Sequence, residues 1–194
     1  MEKKKIILAS QSPRRKWLLE QIGLDFEIIT SNFDENIEGK KFSRKLIESL
    51  AYQKAKDVSE RTENEALIIA ADTVVILGSN ILGKPKDEAD AKNMLKQLSN
   101  RVHKVITAVA IIDKYEEKTL INSTISKVKF KKLTEREIED YIKTGEPMDK
   151  AGSYGIQAYG SLFVEKVDGC YNNIVGLPLN LLGEMLKSFG VYLI

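Results

Sequence analysis

The chain has 194 residues, 43% hydrophobic and 30% charged, which is typical of a soluble globular protein with one sizeable core. Its formal net charge is only +2 and the basic residues are spread along the chain, so the composition argues against a nucleic-acid-binding protein. No apolar run approaches the ~20 residues of a membrane span, and the N-terminal run IILA is too short for a secretory signal. We therefore expect a cytoplasmic protein without a membrane partner.

The first half of the chain predicts alternating strands and helices. Short apolar or alternating runs predict strands at residues 4–10, 25–33 and 66–77, and apolar residues at helical spacing predict helices at residues 13–22 and 43–59. The tripeptide GSN at residues 78–80 predicts a turn into the segment ILGKP.

The second half predicts two long strands among further helices. Asp87 is placed to cap a helix that ends near Leu98, Thr134 one that ends at Thr144, and Pro178 precedes one that ends at Gly190. Strands are expected at residues 102–112, 119–130, 161–169 and 171–176, the last two forming a pair. The pattern predicts an α/β or α+β fold with a mixed sheet in a single domain over residues 1–194, and it leaves the topology open.

The cysteine and histidine content limits the kind of metal site. Cys170 is the only cysteine and His103 the only histidine, so an internal disulfide and a zinc site of the usual kind are both excluded. A bound metal would need oxygen ligands, which favours Mg²⁺ or Mn²⁺. We expect His103 to be structural and Cys170 to be a packing residue.

Arg14 and Arg15 fall in the first turn of the first predicted helix, where the helix dipole disfavours cations. Solvated arginines, one of them paired with Glu20 or another acidic neighbour, would explain them. Alternatively, the two guanidinium groups, the first-turn backbone amides and the hydroxyls of Ser10 and Ser12 bind a phosphate.

Lys54 and Asp72 are charged residues at apolar positions. Lys54 lies on the apolar stripe of its helix, where its ammonium group either reaches water past its aliphatic stem or points at an anion in a cleft. Asp72 interrupts the strand LIIAADTVVIL. It either pairs with a buried lysine or caps a bulge, or it serves as a general base or metal ligand.

Two further segments can face the same site. GSNILGKP nearly matches a phosphate-binding loop, but Pro85 replaces the hydroxyl residue that binds magnesium, so we reject that motif and retain Lys84 as a cleft lysine. The glycine-rich stretch at residues 149–161 is either an ordinary tight loop or a segment that approaches a ligand, with Gln157 able to contact a base edge. These residues together predict phosphate or nucleotide chemistry, without fixing a reaction.

Five ordered segments resemble the motifs of the Maf family of nucleotide pyrophosphatases over essentially the whole chain: LASQSPRRKWLLEQIG, AADTVV, LGKPKDEADAKNMLKQLS, KAGSYGIQ and NNIVGLPL. The resemblance implies a mixed α/β fold with two lobes around a central cleft, similar to inosine triphosphate pyrophosphatases. It also implies hydrolysis of a nucleoside triphosphate to the monophosphate and pyrophosphate with a divalent metal, as a means of cleaning the nucleotide pool.

The resemblance also implies roles for individual residues. Asp72 corresponds to the proton acceptor, and Glu35 with Asp72 to the metal carboxylates. The residues implied to bind the triphosphate are Ser10, Arg14, Arg15, Lys54 and Lys84.

The family branch that acts on dTTP and UTP resembles this chain at Arg14, Thr73 and Gln157, so those substrates are expected, with modified pyrimidine nucleotides as an extension. Two positions depart from the family pattern. Asn100 stands where glycine is usual, and Ala158 stands where glycine often follows, which leaves fine substrate preference open.

Two rival functions remain at this stage. The first is a nucleotide-binding regulator of cell division with little turnover. The second is single-stranded RNA binding, which the weak net charge and the scattered aromatic residues argue against. The segment SLFV and the last strands offer edges for pairing in a homodimer, and the oligomeric state stays open.

Overall fold

A computed structural model of the chain describes residues 4–34, 41–63 and 65–194. Seven strands form one mixed sheet in the order β2-β1-β3-β5-β6-β7, with β4 also paired to β3. Strand β1 runs parallel to β2 and β3, and the other pairings are antiparallel. The strands are β1 Ile6–Leu8, β2 Glu27–Ile28, β3 Leu67–Leu77, β4 Asn80–Leu82, β5 Val102–Asp113, β6 Lys118–Phe130 and β7 Val164–Asp168.

Six α-helices and three short 3₁₀ helices lie within the described ranges. The α-helices are α1 Pro13–Gln21, α2 Arg44–Arg61, α3 Glu88–Leu98, α4 Glu135–Lys143, α5 Tyr171–Val175 and α6 Leu179–Lys187, and the 3₁₀ helices are Glu146–Asp149, Ala151–Ser153 and Ala158–Phe163. The predicted N-caps at Asp87 and Thr134 are confirmed, because each side chain accepts a backbone N–H from the first turn. No described helix combines the length and apolarity needed to cross a membrane.

The two faces of the sheet have separate hydrophobic cores. One face packs under α2, where Ile47, Ala51 and Ala55 meet the even-numbered residues of β3 such as Ile68 and Ala70. On the opposite face the odd-numbered residues of β3 pack against α1, α3, α4 and α6. Because side chains alternate along a strand, neighbouring polar residues on β3 reach different faces.

Strand β3 has a gap in its pairing that opens the sheet. Strand β5 pairs with residues 67–76 of β3 along one edge. On the other edge, β1 pairs only with residues 67–69 and β4 only with residues 75–77. Residues 70–74 therefore lie between the end of β1 at Leu8 and the end of β4 at Leu82. Ligands of α/β sheets commonly bind where parallel strands end and the neighbouring segments diverge.

Three of the strand predictions need correction. Residues 171–176 form α5 and its glycine cap rather than a strand, so they do not pair with the preceding segment. Of residues 161–169, only Val164–Asp168 is a strand, and it pairs with β6. Of residues 25–33, only Glu27–Ile28 pairs regularly. In the last two cases the strand pairs over fewer residues than the apolar pattern spans.

Candidate active site

A cleft of about 1500 Å³ opens at the gap in the sheet. It exceeds the ~300–1,000 Å³ of typical small-molecule pockets, so it has room for an extended ligand. Its walls come from the end of β1, the start of α1, the centre of β3, the β4 hairpin, the 3₁₀ segments after α4 and the end of α5. The lining includes all the described residues that the sequence singled out: Ser10, Arg14, Arg15, Lys54, Asp72, Thr73, Lys84 and Gln157.

Asp72 and Lys54 form a buried ion pair at the floor of this cleft. Lys54 Nζ lies 2.5 Å from Asp72 Oδ1, and the residues are 7% and 3% exposed. Strand β3 presents Asp72 on the α2 face, and Lys54 occupies the facing stripe of α2. Of the alternatives for these residues, the structure shows a lysine that pairs with a buried carboxylate. The carboxylate nevertheless lines the cleft, where it can contact a ligand.

Arg15 is held in place on the opposite side of β3. Its Nε donates to Gly176 O at 2.8 Å, its Nη1 to Ser10 Oγ at 3.2 Å and its Nη2 to Thr73 Oγ1 at 3.1 Å. Gly176 follows α5, so this short helix provides an acceptor for the guanidinium group. Contacts to all three nitrogens fix the plane of the guanidinium at the N-terminus of α1.

The donor and acceptor of each hydrogen bond among the threonine hydroxyls behind Arg15 can be inferred. Thr107 Oγ1 donates its only proton to Asn173 O at 2.8 Å, so Thr73 must donate in the 2.9 Å contact between the two threonine hydroxyls. Asn173 is fully buried and also accepts from Thr107 N and donates to Val105 O. The Thr73 hydroxyl oxygen can therefore only accept a hydrogen bond from Arg15 Nη2.

Arg14 points to a different part of the cleft. Its Nη1 contacts Asp149 Oδ2 at 3.2 Å, and Lys150 Nζ contacts the other oxygen of that carboxylate at 2.6 Å. Partial burial opposes ionisation of Asp149, but the hydrogen bonds and charges of Lys150 and Arg14 outweigh it and lower the pKa of the carboxyl. Arg14 is thus paired with an acidic neighbour, as one alternative anticipated, although that neighbour is Asp149.

The remaining candidates differ in how closely the structure constrains them. Lys84 is exposed in the segment after β4, and Gln157 is partly buried in the glycine-rich stretch; both line the cleft. Ser12 caps α1, so its hydroxyl is directed at the Arg15 amide. Glu35 lies outside the described residues, and its expected role as a metal ligand stays a prediction.

The described acidic residues suit a metal ion that is bound partly by protein carboxylates and partly by the substrate. No cluster of three or more His, Cys, Asp or Glu side chains within residues 4–34, 41–63 and 65–194 is arranged to hold an ion. Asp34 and Asp72 both line the cleft. Because Mg²⁺ is commonly bound by one or two carboxylates together with substrate phosphates and water, this donor set fits such an ion.

Sequence reasoning missed several residues that shape the site. Asp149, Thr107 and Asn173 are described above, and Glu146 lines the cleft beside the glycine-rich stretch. Asn173 had a usable signal, since a polar residue inside the short run YNNIV is costly to bury unless it has partners. Asp149 stood at the edge of the glycine-rich stretch, but nothing local indicated that it would meet Arg14.

Comparisons with known proteins give one family model and several relatives of about 50% identity. A family model described as Maf-like protein matches residues 5–189. A dTTP/UTP pyrophosphatase of Clostridioides difficile is 52% identical over 95% of this chain and 94% of its own length. Proteins of the same name from Acetivibrio thermocellus and Dictyoglomus turgidum are each 50% identical, over 96% and 99% of this chain and 96% and 100% of their own lengths.

Solved structures of low sequence identity share the fold. The Staphylococcus aureus Ham1 protein aligns with a TM-score of 0.54 at 15% identity, over 96% of this chain and 100% of its own. A nucleoside-triphosphatase, also titled dITP/XTP pyrophosphatase, from Mycobacterium abscessus aligns with a TM-score of 0.51 at 17% identity, over 95% of this chain and 97% of its own. The expected similarity to this class of fold is therefore confirmed.

Proposed function

The chain belongs to the Maf-like protein family, and on that premise we propose that it hydrolyses dTTP and UTP to the nucleoside monophosphate and pyrophosphate. The reaction is that of a hydrolase acting on an acid anhydride, and it removes these triphosphates from the nucleotide pool. Modified pyrimidine nucleotides are further candidate substrates.

The observation that carries the proposal is the buried carboxylate of Asp72 in a cleft otherwise rich in cationic groups. Lys54 holds one carboxylate oxygen at 2.5 Å, while Arg14, Arg15 and Lys84 line the same cavity. Such an arrangement suits a polyanion that approaches the Asp72 carboxylate. A triphosphate has the charge to offset the cations, and its α-phosphorus needs a base nearby to activate water.

In the reaction, Asp72 accepts a proton from a water molecule as the water oxygen attacks the α-phosphorus. The bond between the α-phosphorus and the α–β bridging oxygen breaks, and pyrophosphate leaves with that oxygen and its electron pair. Lys54 keeps the carboxylate oriented through the ion pair described above. A fixed base and a fixed substrate reduce the entropic part of the barrier.

Arg15 and Lys84 stabilise the charge that develops on the triphosphate. The guanidinium of Arg15 is already oriented by three acceptors before the substrate binds. Preorganised donors are effective because they need no rearrangement at the transition state. The hydroxyl of Ser10, which accepts from Ser12 N, keeps its own proton as a further donor at the same end of the cleft.

A divalent cation, Mg²⁺ or Mn²⁺, is expected to bind between the protein carboxylates and the phosphates. Asp72 and Glu35 are the proposed protein ligands, and Asp34 is a further carboxylate on the cleft wall. When bound, the ion would neutralise phosphate charge and polarise the anhydride.

Base selection is assigned to Arg14, Thr73 and Gln157. Gln157 has an amide that both donates and accepts, as the edge of thymine or uracil requires. Arg14 also lines the cleft and is paired with Asp149, at the start of the glycine-rich stretch that carries Gln157. Thr73 contributes through its hydroxyl beside Arg15.

A pyrophosphate-release assay with Mg²⁺ or Mn²⁺ tests the proposal. The protein should release pyrophosphate from dTTP and UTP faster than from dCTP, GTP and ATP. Asp72→Asn should abolish turnover while circular dichroism shows a folded protein. Near-normal turnover of Asp72→Asn would remove this residue from the role of base.

The same assay distinguishes the enzyme from the rival function. A nucleotide-binding regulator of cell division would bind dTTP with turnover no faster in the wild type than in Asp72→Asn. Faster hydrolysis of a purine triphosphate would instead overturn the assignment of base selection.

A further inference from the structure

The carboxylate of Glu146 joins the two ends of the segment that carries Gln157. Its Oε2 accepts from Tyr159 N at 3.2 Å, and its Oε1 accepts from Gly160 N at 3.2 Å. Oε1 also accepts from Tyr141 Oη at 3.0 Å, and that hydroxyl in turn accepts from Gly155 N at 3.2 Å. One carboxylate and one phenol thus bind three backbone amides of residues 155–160.

The backbone of residues 155–160 folds back on itself so closely that a side chain does not fit at Gly160. A Cβ at Gly160 would lie 2.1 Å from Gly155 O, and one at Gly155 would lie 2.9 Å from Lys150 Cε. Lys150 is itself held by Glu146, since its Nζ donates to Glu146 O at 2.7 Å. The two ends of the segment therefore touch each other, and the residues between them project as a short loop.

Gln157 lies in the middle of that loop and on the cleft wall. Tyr141 is buried at 4% exposure on α4, and burial raises the pKa of its phenol, so it remains a donor at neutral pH. Gly145, with φ of 73°, turns the chain after α4 and brings Glu146 back to Tyr141. The position of Gln157 is thus set from α4, an element outside the catalytic floor.

We propose that Glu146 and Tyr141 are positioning residues for base selection, which fix residues 155–160 so that the Gln157 amide meets the edge of the pyrimidine. The inference rests on the proposed function, since it concerns the base end of the same cleft. Neither residue is required for attack at the α-phosphorus. Their loss should therefore change which triphosphate is used more than how fast a bound one is hydrolysed.

Tyr141→Phe is the first test, because it removes one hydroxyl and keeps the ring. KM for dTTP and UTP should rise roughly three- to tenfold with kcat nearly unchanged, because the hydrogen bonds of the hydroxyl to Glu146 and from Gly155 N are both lost. The ratio of kcat/KM for dTTP to that for GTP should fall by a similar factor. Glu146→Gln should lower that ratio further, because the NH₂ group of the glutamine would face a backbone N–H, so that two donors meet without an acceptor.

Ile111→Val provides a control for general destabilisation. Ile111 is fully buried on β5 and absent from the cleft lining, so the variant should melt at lower temperature with the wild-type substrate ratio. Wild-type ratios in both Tyr141→Phe and Glu146→Gln, with lowered melting temperatures, would show a purely structural role and overturn the proposal.

A binding measurement separates this inference from the proposed function. Calorimetric affinities for dTTP and GTP are measured in an Asp72→Asn background, with and without Tyr141→Phe. A reduced preference for dTTP on adding Tyr141→Phe supports the positioning role even if the wild type proves not to release pyrophosphate. An unchanged preference contradicts it whatever the turnover.

Discussion

Lys54 and Asp72 meet across the interface between α2 and β3, with Nζ 2.5 Å from Oδ1 in an otherwise apolar layer. A buried ion pair of this kind is a weak source of net stability, since the desolvation of both ions offsets their attraction. Its presence on the cleft floor is better explained by the need to hold a carboxylate in one orientation for the reaction.

Removing one member of this pair should be costly to the fold. Lys54→Met leaves the Asp72 carboxylate in an apolar layer and should destabilise the protein by about 3–5 kcal/mol in urea unfolding. The double variant Lys54→Met/Asp72→Asn should recover most of that loss while remaining inactive. Additive destabilisation in the double variant would show that the two residues do not depend on each other.

Arg15 should be intolerant even of lysine. A lysine ammonium cannot reach Gly176 O, Ser10 Oγ and Thr73 Oγ1 in the plane that the guanidinium fills. Arg15→Lys should lower kcat/KM about 10- to 100-fold on every triphosphate, as expected for loss of a charge-assisted contact. Lys16→Ala, at the exposed next position, is the control and should behave as wild type.

Arg14 should differ from Arg15 in its dependence on the base. Arg14→Ala should weaken turnover and also change the ratio of dTTP to GTP, because Arg14 points toward Asp149 at the base end of the cleft. Initial rates across a panel of triphosphates measure this ratio. An equal loss on all substrates for both arginine variants would contradict the division of roles.

The sequence predicted the long elements, and it singled out charged residues that line the cleft, because in both cases the local pattern was sufficient. Strands β5 and β6 and helices α2 and α3 have enough residues for their periodicity to be unambiguous. Asp72 and Lys54 stood out because each placed a charge at an apolar position, a conflict that local rules can detect.

The sequence could not predict features that depend on tertiary contacts. Ile174 and Val175 of α5 are β-branched residues that favour strands, but Asn173 binds Thr107 N and Val105 O on β5, which fixes a helical turn there. The partner of Arg14 follows Arg14 by 135 residues in the chain. The gap beside residues 70–74 of β3 depends on where β1 and β4 end, which local patterns define poorly.

His103 should make stability depend on pH. Burial lowers the pKa of its imidazole to about 4, and Nδ1 is a buried atom without a hydrogen-bond partner among the described residues. In the unfolded chain the imidazole has a pKa of about 6.5, so it binds a proton at a higher pH than in the folded protein. The free energy of unfolding therefore has its full value above that pH and decreases as the pH falls toward 4. The loss should reach about 3 kcal/mol.

His103 is the only histidine, so this dependence can be isolated. His103→Gln cannot titrate but can still hydrogen-bond Tyr154 Oη, which lies 2.7 Å from Nε2. Urea unfolding between about pH 5.5 and 7, above the range where most carboxylates titrate, should show a slope in the wild type and little slope in the variant. Equal slopes would place the responsible group elsewhere.

Ala158 occupies a left-handed backbone conformation, with φ of 50°, which favours glycine. The conformation costs a residue with a Cβ about 1–2 kcal/mol. Ala158→Gly should relieve that strain, but glycine loses more conformational entropy on folding than alanine. Because the two effects oppose each other, the free energy of unfolding should stay within about 1 kcal/mol of the wild type. Ala158→Val should destabilise by about 1–3 kcal/mol, because β-branched residues tolerate this region least. Thermal unfolding of the two variants measures the difference, and equal melting temperatures would show that the loop adopts another conformation in solution.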